Sequence, residues 1–483
     1  MITTNKYIKG LFASIALIGA VSCSDPWDDH NSTNDDNLKQ NLNERLKNTT
    51  ETTEFAKLIA ETGLDIELSN SKTYTVWAPT NAALSQVDPA LLSNINKKRL
   101  FVQNHIALTT FSSVTEKDTV TVQMLSNKYL EFKNGTTMAD ASVITANQYA
   151  SNGLFHIINK ALEPKSNIWE YLKENTGSSN LSAYLQSLTQ FNLYKSDSIA
   201  KAFAFHNIYS DSLTNSYLKN VYNLNNEKNK YTFFLLENNA FDTEVEKLEP
   251  YLIKSNQDST TTYASYFTTR DFAFHKAIAR ENLPDTLTSR FGVKVPINKN
   301  NILREIQLSN GIVYVMSALD VPLKTRLVTS KIEGEKPIGF SRNDKRTNTF
   351  YREKNDNNGV LFNDIMVQNH GTPLFTINYS ASNLYSTTYK VYWRAVNDIQ
   401  VNTFQQSLRI GGTKQVDGTV LDPIAELPYT DVPPNVYDEI FIGEFTLNEA
   451  GTIDLISLIA ANTGVNGNNT LSLDYLKLVP VIK

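Results

Sequence analysis

Six histidines, one cysteine and a set of scattered carboxylates are the groups in this 483-residue chain that could do chemistry. His30, His105, His156, His206, His275 and His370 fall far apart. None belongs to a His-Glu-x-x-His pair that would hold zinc, and there is no Gly-x-Ser-x-Gly turn or glycine-rich phosphate loop. A hydrolase needs paired acids, a metal cluster or an activated nucleophile on a rigid turn. Asp454 and Asp474 could be paired as a calcium or catalytic site, but each sits on the polar side of an alternating strand pattern, where solvated surface is the simpler account. Catalytic residues, metal and cofactor are therefore all expected to be none.

Binding is a different matter. A sugar site needs an aromatic plane for the apolar face of the ring, with amides or acids for the hydroxyls. Trp393 stands among Tyr389, Tyr392, Arg394 and Asn397, and the Asn/Gly-rich loop 462–469 contains Asn466 and Asn468. Tyr392, Trp393, Arg394, Asn466 and Asn468 are the candidate ligand contacts. If Trp393 shares a face with Val391 it is core, and Tyr392 and Arg394 turn outward. The loop is equally well explained as a turn between two strands. The formal charge of −5 gives no basic field for nucleic acid.

The elements that must position these groups begin with a repeat. Tyr74-Thr75-Val76-Trp77-Ala78-Pro79-Thr80-Asn81-Ala82-Ala83-Leu84 returns in degenerate form at Tyr231–Phe241, an offset of 231 − 74 = 157. The stretch from Asn152-Gly153 to Leu162 returns from Asn310-Gly311, an offset of 311 − 153 = 158. Two agreeing offsets of this length indicate tandem domains rather than a solenoid. In the first copy Tyr74–Trp77 has strand composition, Pro79 ends the strand, and Thr80-Asn81 can cap a helix beginning at Ala82. Upstream, Phe55, Leu58 and Ile59 have helical spacing, with Gly63 as the stop.

Tyr74–Leu84, Phe101-Val102-Gln103-Asn104-His105-Ile106 and Asn152-Gly153-Leu154-Phe155-His156-Ile157-Ile158 resemble, in order, the boxes of fasciclin domains. The resemblance implies an α+β fold, a β-wedge with helices, used for adhesion and binding. It makes Thr80, Asn81, His105, Gly153 and His156 mainly structural. The second copy has Leu235-Leu236-Glu237 for Ala78-Pro79-Thr80, leaving Asn238 as its best cap. His275 is the candidate counterpart of His105, and Tyr194–Lys230 reads as an insertion. Trp169 is read as packing at the junction of the copies.

At the start, Lys6 and Lys9 precede an apolar run, Leu11–Val21, too short to span a bilayer. Ala20-Val21-Ser22-Cys23 resembles a bacterial lipobox, which makes Cys23 the lipid-attachment residue. The acidic stretch after it resembles the signal of surface-exposed outer-membrane lipoproteins. With one cysteine the chain can form no internal disulfide.

Past Val360 short strands alternate with Gly, Asn, Asp and Pro clusters, which predicts an all-β sandwich. Strands are expected at Leu374–Tyr379, Lys390–Ala395, Gln406–Ile410, Glu439–Thr446, Gly451–Ala460 and Thr470–Pro480. In the last, Leu471, Leu473, Tyr475 and Lys477 are expected on one face. Asn469–Val481 and Tyr389–Ala395 resemble strands of galactose-binding-like jelly rolls, an architecture shared by many carbohydrate-binding modules. The expected organisation is a signal peptide (1–22), an acidic tether (23–40), a fasciclin-like domain (41–164) and a diverged one (165–325). A linker or long loops (326–359) and a galactose-binding-like β-sandwich (360–483) follow. The expected function is a non-catalytic, lipid-anchored outer-membrane surface protein that binds a glycan or a surface partner in adhesion, or beside an outer-membrane glycan transport complex. The alternative is a polysaccharide-acting enzyme with its site in the last domain.

Overall fold

The computed structural model describes residues 36–70, 72–114, 118–189, 215–415 and 419–483. Cys23, the export signal, His30, His206 and residues 190–214 lie outside the described residues. Two compact units divide the chain, Met1–Lys165 and Ser166–Lys483.

In the first unit the strand Tyr74–Pro79 is buried along its whole length. A strand covered on both faces is largely apolar, which accounts for its composition, and the buried Thr75 hydroxyl is hydrogen-bonded. It pairs in parallel with the closing strand Gly153–Ile158, Tyr74 opposite Gly153 and Pro79 opposite Ile158. Around this pair the sheet runs Ile106–Ala107, Tyr74–Pro79, Gly153–Ile158, Ala141–Ala150, and then on to Thr119–Gln123. The helix Thr53–Glu61 packs Phe55, Ala56 and Ile59 into the core, and Gly63 breaks it in the left-handed region. Asp36–Lys39 form a 3₁₀ turn and the Gln40 carbonyl accepts from the Ser151 N–H at 2.8 Å, so the end of the expected tether belongs to the domain.

The second unit repeats that arrangement. Tyr231–Leu236 pairs in parallel with Gly311–Met316, Tyr231 opposite Gly311, in the order Ile302–Leu308, Gly311–Met316, Tyr231–Leu236, Ala273–His275. A buried asparagine precedes each closing strand and does the same work in both copies. The Asn152 side chain accepts from Leu42 N–H and donates to the Leu68 and Asn70 carbonyls, all at 2.8 Å. The Asn310 side chain accepts from Ile168 N–H (2.9 Å) and donates to the Leu224 (2.7 Å) and Asn226 (3.3 Å) carbonyls. Each thereby ties a helix start and a loop to the sheet, at roughly 1 kcal/mol per bond. Residues 215–230, expected as the end of an insertion, are integral: Asn215 caps Ser216–Asn220, and Tyr217, Leu218, Val221 and Leu224 are core. Trp169 is half-buried against the same core.

The caps depart from expectation. Thr80 alone caps the first helix, accepting from Ala83 N–H at 3.1 Å. Asn81 reaches sideways, accepting from Glu54 N–H (3.0 Å) and donating to the Thr50 carbonyl (3.0 Å). Asn238 is likewise no cap. It accepts from Asn180 N–H (2.8 Å) and donates to the Ser178 carbonyl (3.3 Å), while Glu237 holds the cap position without a side-chain bond. An asparagine one residue past the cap points toward the neighbouring helix start, so its side chain serves that helix.

The rest of the second unit is a β-sandwich. One sheet contains Ser330–Glu333, Tyr475–Pro480, Thr388–Arg394 and Ile440–Thr446. The other contains Gly339–Phe340, Thr376–Leu384, Gly451–Ala460 and Phe404–Ile410, with two short strands beyond. Tyr389, Val391, Trp393, Leu476 and Leu478 from the first and Ile377, Tyr379, Leu408, Ile456 and Leu458 from the second belong to one core. Residues 326–359, expected as linker or long loops, instead supply strands. Ser330–Glu333 pairs with Tyr475–Leu478, and Thr349–Asn355 with Leu361–Val367. Their polar composition reflects half-exposed edge positions. The expected strand Thr470–Pro480 is broken at Asp474: Leu471–Leu473 joins a separate three-stranded sheet and Tyr475–Pro480 the four-stranded one. The switch shifts the alternation, so Leu471, Leu473, Leu476 and Leu478 are all buried while Tyr475 and Lys477 are half-buried.

The second repeat and the sandwich share a buried ion pair. Arg326, 2% exposed, donates to Glu244 at 2.6 Å, and its carbonyl accepts from the Tyr385 hydroxyl at 2.8 Å.

A Cβ built on Gly153 or Gly311 would lie 2.0 Å from the carbonyl oxygen of Tyr74 or Tyr231, whereas one on Gly177 meets nothing within 4 Å. Gly153→Ala and Gly311→Ala should each destabilise their unit by about 1–3 kcal/mol or more, with Gly177→Ala near neutral, as read by urea denaturation.

Candidate functional site

The buried histidines are closed to chemistry. His105 Nδ1–H donates to the Phe101 carbonyl (2.8 Å), and Nε2 accepts from Leu162 N–H (2.8 Å). His156 Nε2–H donates to the Phe111 carbonyl (2.8 Å), with Nδ1 facing Asn147 N–H at 3.4 Å. His370 Nε2–H donates to the Asn469 carbonyl (2.7 Å), and Nδ1 accepts from Thr372 N–H (3.2 Å). In each ring one nitrogen must carry the proton and the other must not, which fixes the neutral form. Burial lowers all three ionisations, His105 to about 4.

The second repeat replaces both of its fasciclin-box histidines. Trp77 N–H bonds the His105 carbonyl and Phe234 N–H bonds the Phe272 carbonyl, both at 2.9 Å, so Phe272 is the counterpart of His105. His275, the expected counterpart, lies three residues further on, exposed and paired with Tyr231. The longer helix before it, Gln257–Thr269 against Ile95–Gln103, misleads the alignment. Tyr314 replaces His156. It stacks on Phe234 (5.8 Å, 26°) as His156 stacks on Trp77 (5.8 Å, 22°), and its hydroxyl donates to the Ile278 carbonyl at 2.8 Å.

The expected sugar contacts are not brought together as a platform. Trp393 is fully buried in the sandwich core, so its ring offers no face to a ligand. Arg394 is held on every edge: Nε donates to the Tyr437 carbonyl (2.7 Å), Nη1 to Asp474 (2.7 Å) and Nη2 to Asp356 (3.1 Å). Asp474, expected on the surface, is the buried partner of this arginine; burial pushes its carboxyl up against the pull of Arg394. Asp454 is exposed, as expected. Tyr392 is half-buried, edge-on to Phe441 (5.5 Å) with the Lys477 ammonium 5.2 Å from its ring. The exposed Asn466 accepts from Gly371 N–H (3.2 Å), and Asn468 turns the loop through its N–H to the Val465 carbonyl (3.2 Å). Among the described residues no group of three or more His, Cys, Asp or Glu could hold a metal ion.

What the tertiary structure does form is a groove of about 600 Å³ over the outer face of the larger sheet. Its floor is a row across three strands, with Asn378 opposite Ser457 and Ser457 opposite Arg409. Ser457 donates to the Asn378 side-chain oxygen at 2.9 Å. Asn378 and Ser457 face away from the core yet are 6% and 3% exposed, because Arg342 with Pro373–Leu374 forms one rim and Lys414 with Val420 the other. Its volume lies within the roughly 300–1,000 Å³ of small-molecule sites. Strand alternation marks Thr376, Asn378 and Ser457 as outward polar positions, but only the folded rims make them a groove.

Residues 50–164, 164 − 50 + 1 = 115 of the 483, match the fasciclin domain family model, and this segment is a fasciclin domain. No curated protein matches the chain. Among solved structures, a domain pair from the insect cell-adhesion molecule fasciclin I is similar over 57% of this chain and 98% of its own, at 17% identity and a TM-score of 0.23. A family 36 carbohydrate-binding domain of a xylanase from the hindgut metagenome of Trinervitermes trinervoides is similar over 32% of this chain and 100% of its own (16% identity, TM-score 0.21). A family 35 carbohydrate-binding module from Clostridium thermocellum covers 32% of this chain and 99% of its own (14% identity, TM-score 0.21).

The neutral His105 predicts a pH dependence. Its proton affinity is lower folded (about 4) than in the unfolded chain (6.5). Stability is therefore full above pH 6.5 and should fall by about 3 kcal/mol as the pH drops toward 4. His105→Phe, the residue of the second repeat, should flatten this slope in urea titrations across that window. It should also lower stability at pH 7 by about 1–3 kcal/mol, because Leu162 N–H loses its acceptor.

Proposed function

We propose that this chain is a non-catalytic surface protein that binds a glycan in the groove of its β-sandwich and contributes to adhesion or glycan uptake. The carrying observation is the groove itself. A sheltered floor of amide and hydroxyl groups with cationic rims suits the many hydroxyls of a saccharide, and hydrogen bonds made there are shielded from water. The fasciclin domain of the first unit supports the adhesive part of the reading. The non-catalytic part is supported by His105, His156 and His370, whose ring nitrogens are engaged by the backbone, and by Asp474, which is engaged by Arg394.

Lipid attachment at Cys23 would place the molecule on the outer membrane, with the acidic stretch as spacer and a transport complex as a candidate neighbour. The support for this is the sequence alone.

Incubated on a glycan array, the soluble chain from Ser24 should give a signal on at least one saccharide and release no soluble product. Silence on every glycan overturns the binding reading, and product formation overturns its non-catalytic part. Protease added to intact cells should cut the chain; survival of the full-length protein would show that it does not face the medium.

A further inference from the structure

Among the described residues that line the groove, every charged one is a cation: Arg342 on one rim, Arg409 in the floor and Lys414 on the other rim. This local sign opposes the chain's formal charge of −5, so it is a property of the site and not of the whole molecule. We infer that the groove takes an anionic glycan, one with carboxylate or sulfate groups along its chain; this rests on the reading of the same groove as a glycan site.

Two further features favour a charged saccharide over a neutral one. No aromatic ring is among the described lining residues, so the apolar face of a neutral pyranose would have nothing to stack on. The guanidinium groups, in contrast, present planar forks that match carboxylate and sulfate oxygens two at a time.

Both arginines already have acidic partners, and the nature of those pairs decides whether a ligand can compete. Arg342 bonds Asp344 through Nε (3.0 Å) and Nη2 (2.8 Å), with both side chains more than half exposed. Arg409 bonds Glu426 through Nε (2.6 Å); the arginine side chain is 27% exposed and the glutamate 58%. Ion pairs this open to solvent contribute little and exchange readily. Neither Asp344 nor Glu426 lines the groove. Asn378, Ser457 and Thr376 remain beside the cations for the neutral hydroxyls of the same chain.

The test is affinity gel electrophoresis of the soluble chain from Ser24. The gels contain polygalacturonate, a sulfated glycosaminoglycan such as chondroitin sulfate, or the neutral polymers xylan and mannan. One or both acidic polymers should retard the protein more than either neutral one, and raising NaCl from about 20 to about 300 mM should weaken the effect, because salt screens exposed charges. The polygalacturonate and chondroitin sulfate gels separate carboxylate from sulfate recognition. Arg342→Ala with Arg409→Ala should reduce affinity by about tenfold or more, and Arg342→Ala alone, a change on an exposed rim, by a smaller factor. Lys390→Ala, an exposed cation outside the groove, should have no effect. Equal or stronger retardation by neutral polymers, or an unchanged double variant with native thermal unfolding, would overturn the inference while leaving glycan binding intact. Retardation by no polymer would overturn both.

Discussion

The architecture that the fasciclin domain and the second repeat share depends on one close approach, the parallel pairing of the first strand with the closing strand at a glycine. At Gly153 and at Gly311 the backbone of the facing tyrosine leaves no room for a Cβ. That contact sets the register of two strands about eighty residues apart, Tyr74 opposite Gly153 and Tyr231 opposite Gly311. The asparagine one residue earlier then fixes what surrounds the pair. A parallel pair buried on both faces can carry few polar groups of its own. Polar order is imposed from its ends, by Asn152 and Asn310, and within it by the buried hydroxyls of Thr75 and Thr232. Thr75 joins the Phe111 N–H and the Thr109 carbonyl (2.9 and 2.7 Å); Thr232 joins the Ile278 N–H and the Lys276 carbonyl (both 2.9 Å).

Given that frame, the two repeats show what may vary. The second has lost its Pro stop, its Thr cap and both box histidines, yet keeps the strand order. Tyr314 occupies the place of His156 because a phenol can also stack on an aromatic neighbour and donate to a carbonyl. Phe272 occupies the place of His105 and gives up the hydrogen bonds for packing. These exchanges identify the histidines of the first repeat as hydrogen-bonded core groups rather than catalytic ones. Burial without a charged partner favours the neutral ring, and both ring nitrogens are already committed to the backbone.

In the sandwich, charge is used in two opposite ways. Arg394 with Asp356 and Asp474, and Arg352 with Asp364 and Asp398, are largely withdrawn from water and hold the strand ends and loops together. Removing one partner of such a pair would leave the other uncompensated. Around the groove the Arg342–Asp344 pair is more than half exposed and the Arg409–Glu426 pair is open on its glutamate side. The same residue types are therefore withdrawn from water in one set of pairs and open to it in the other, and the difference is burial.

The sequence by itself determined the tandem repeat, the fasciclin character of the first copy, the β-sandwich that follows, and four of its strands to within three residues, because apolar periodicity, Pro, Gly and Asn act locally and leave a direct trace in residue order. It also carried the duplicated Asn-Gly pair, whose purpose became clear only with the register. Tertiary structure alone decided the rest. It showed that Phe272 and not His275 answers His105, that the polar stretch before Val360 supplies strands, and that Asp474 faces inward. It also showed that Asn378, Ser457 and Arg409, distant in sequence, form one floor. Each of these depends on which strands become neighbours and where a strand changes sheet. That choice follows from the summed burial of the whole core, which no local window of sequence contains.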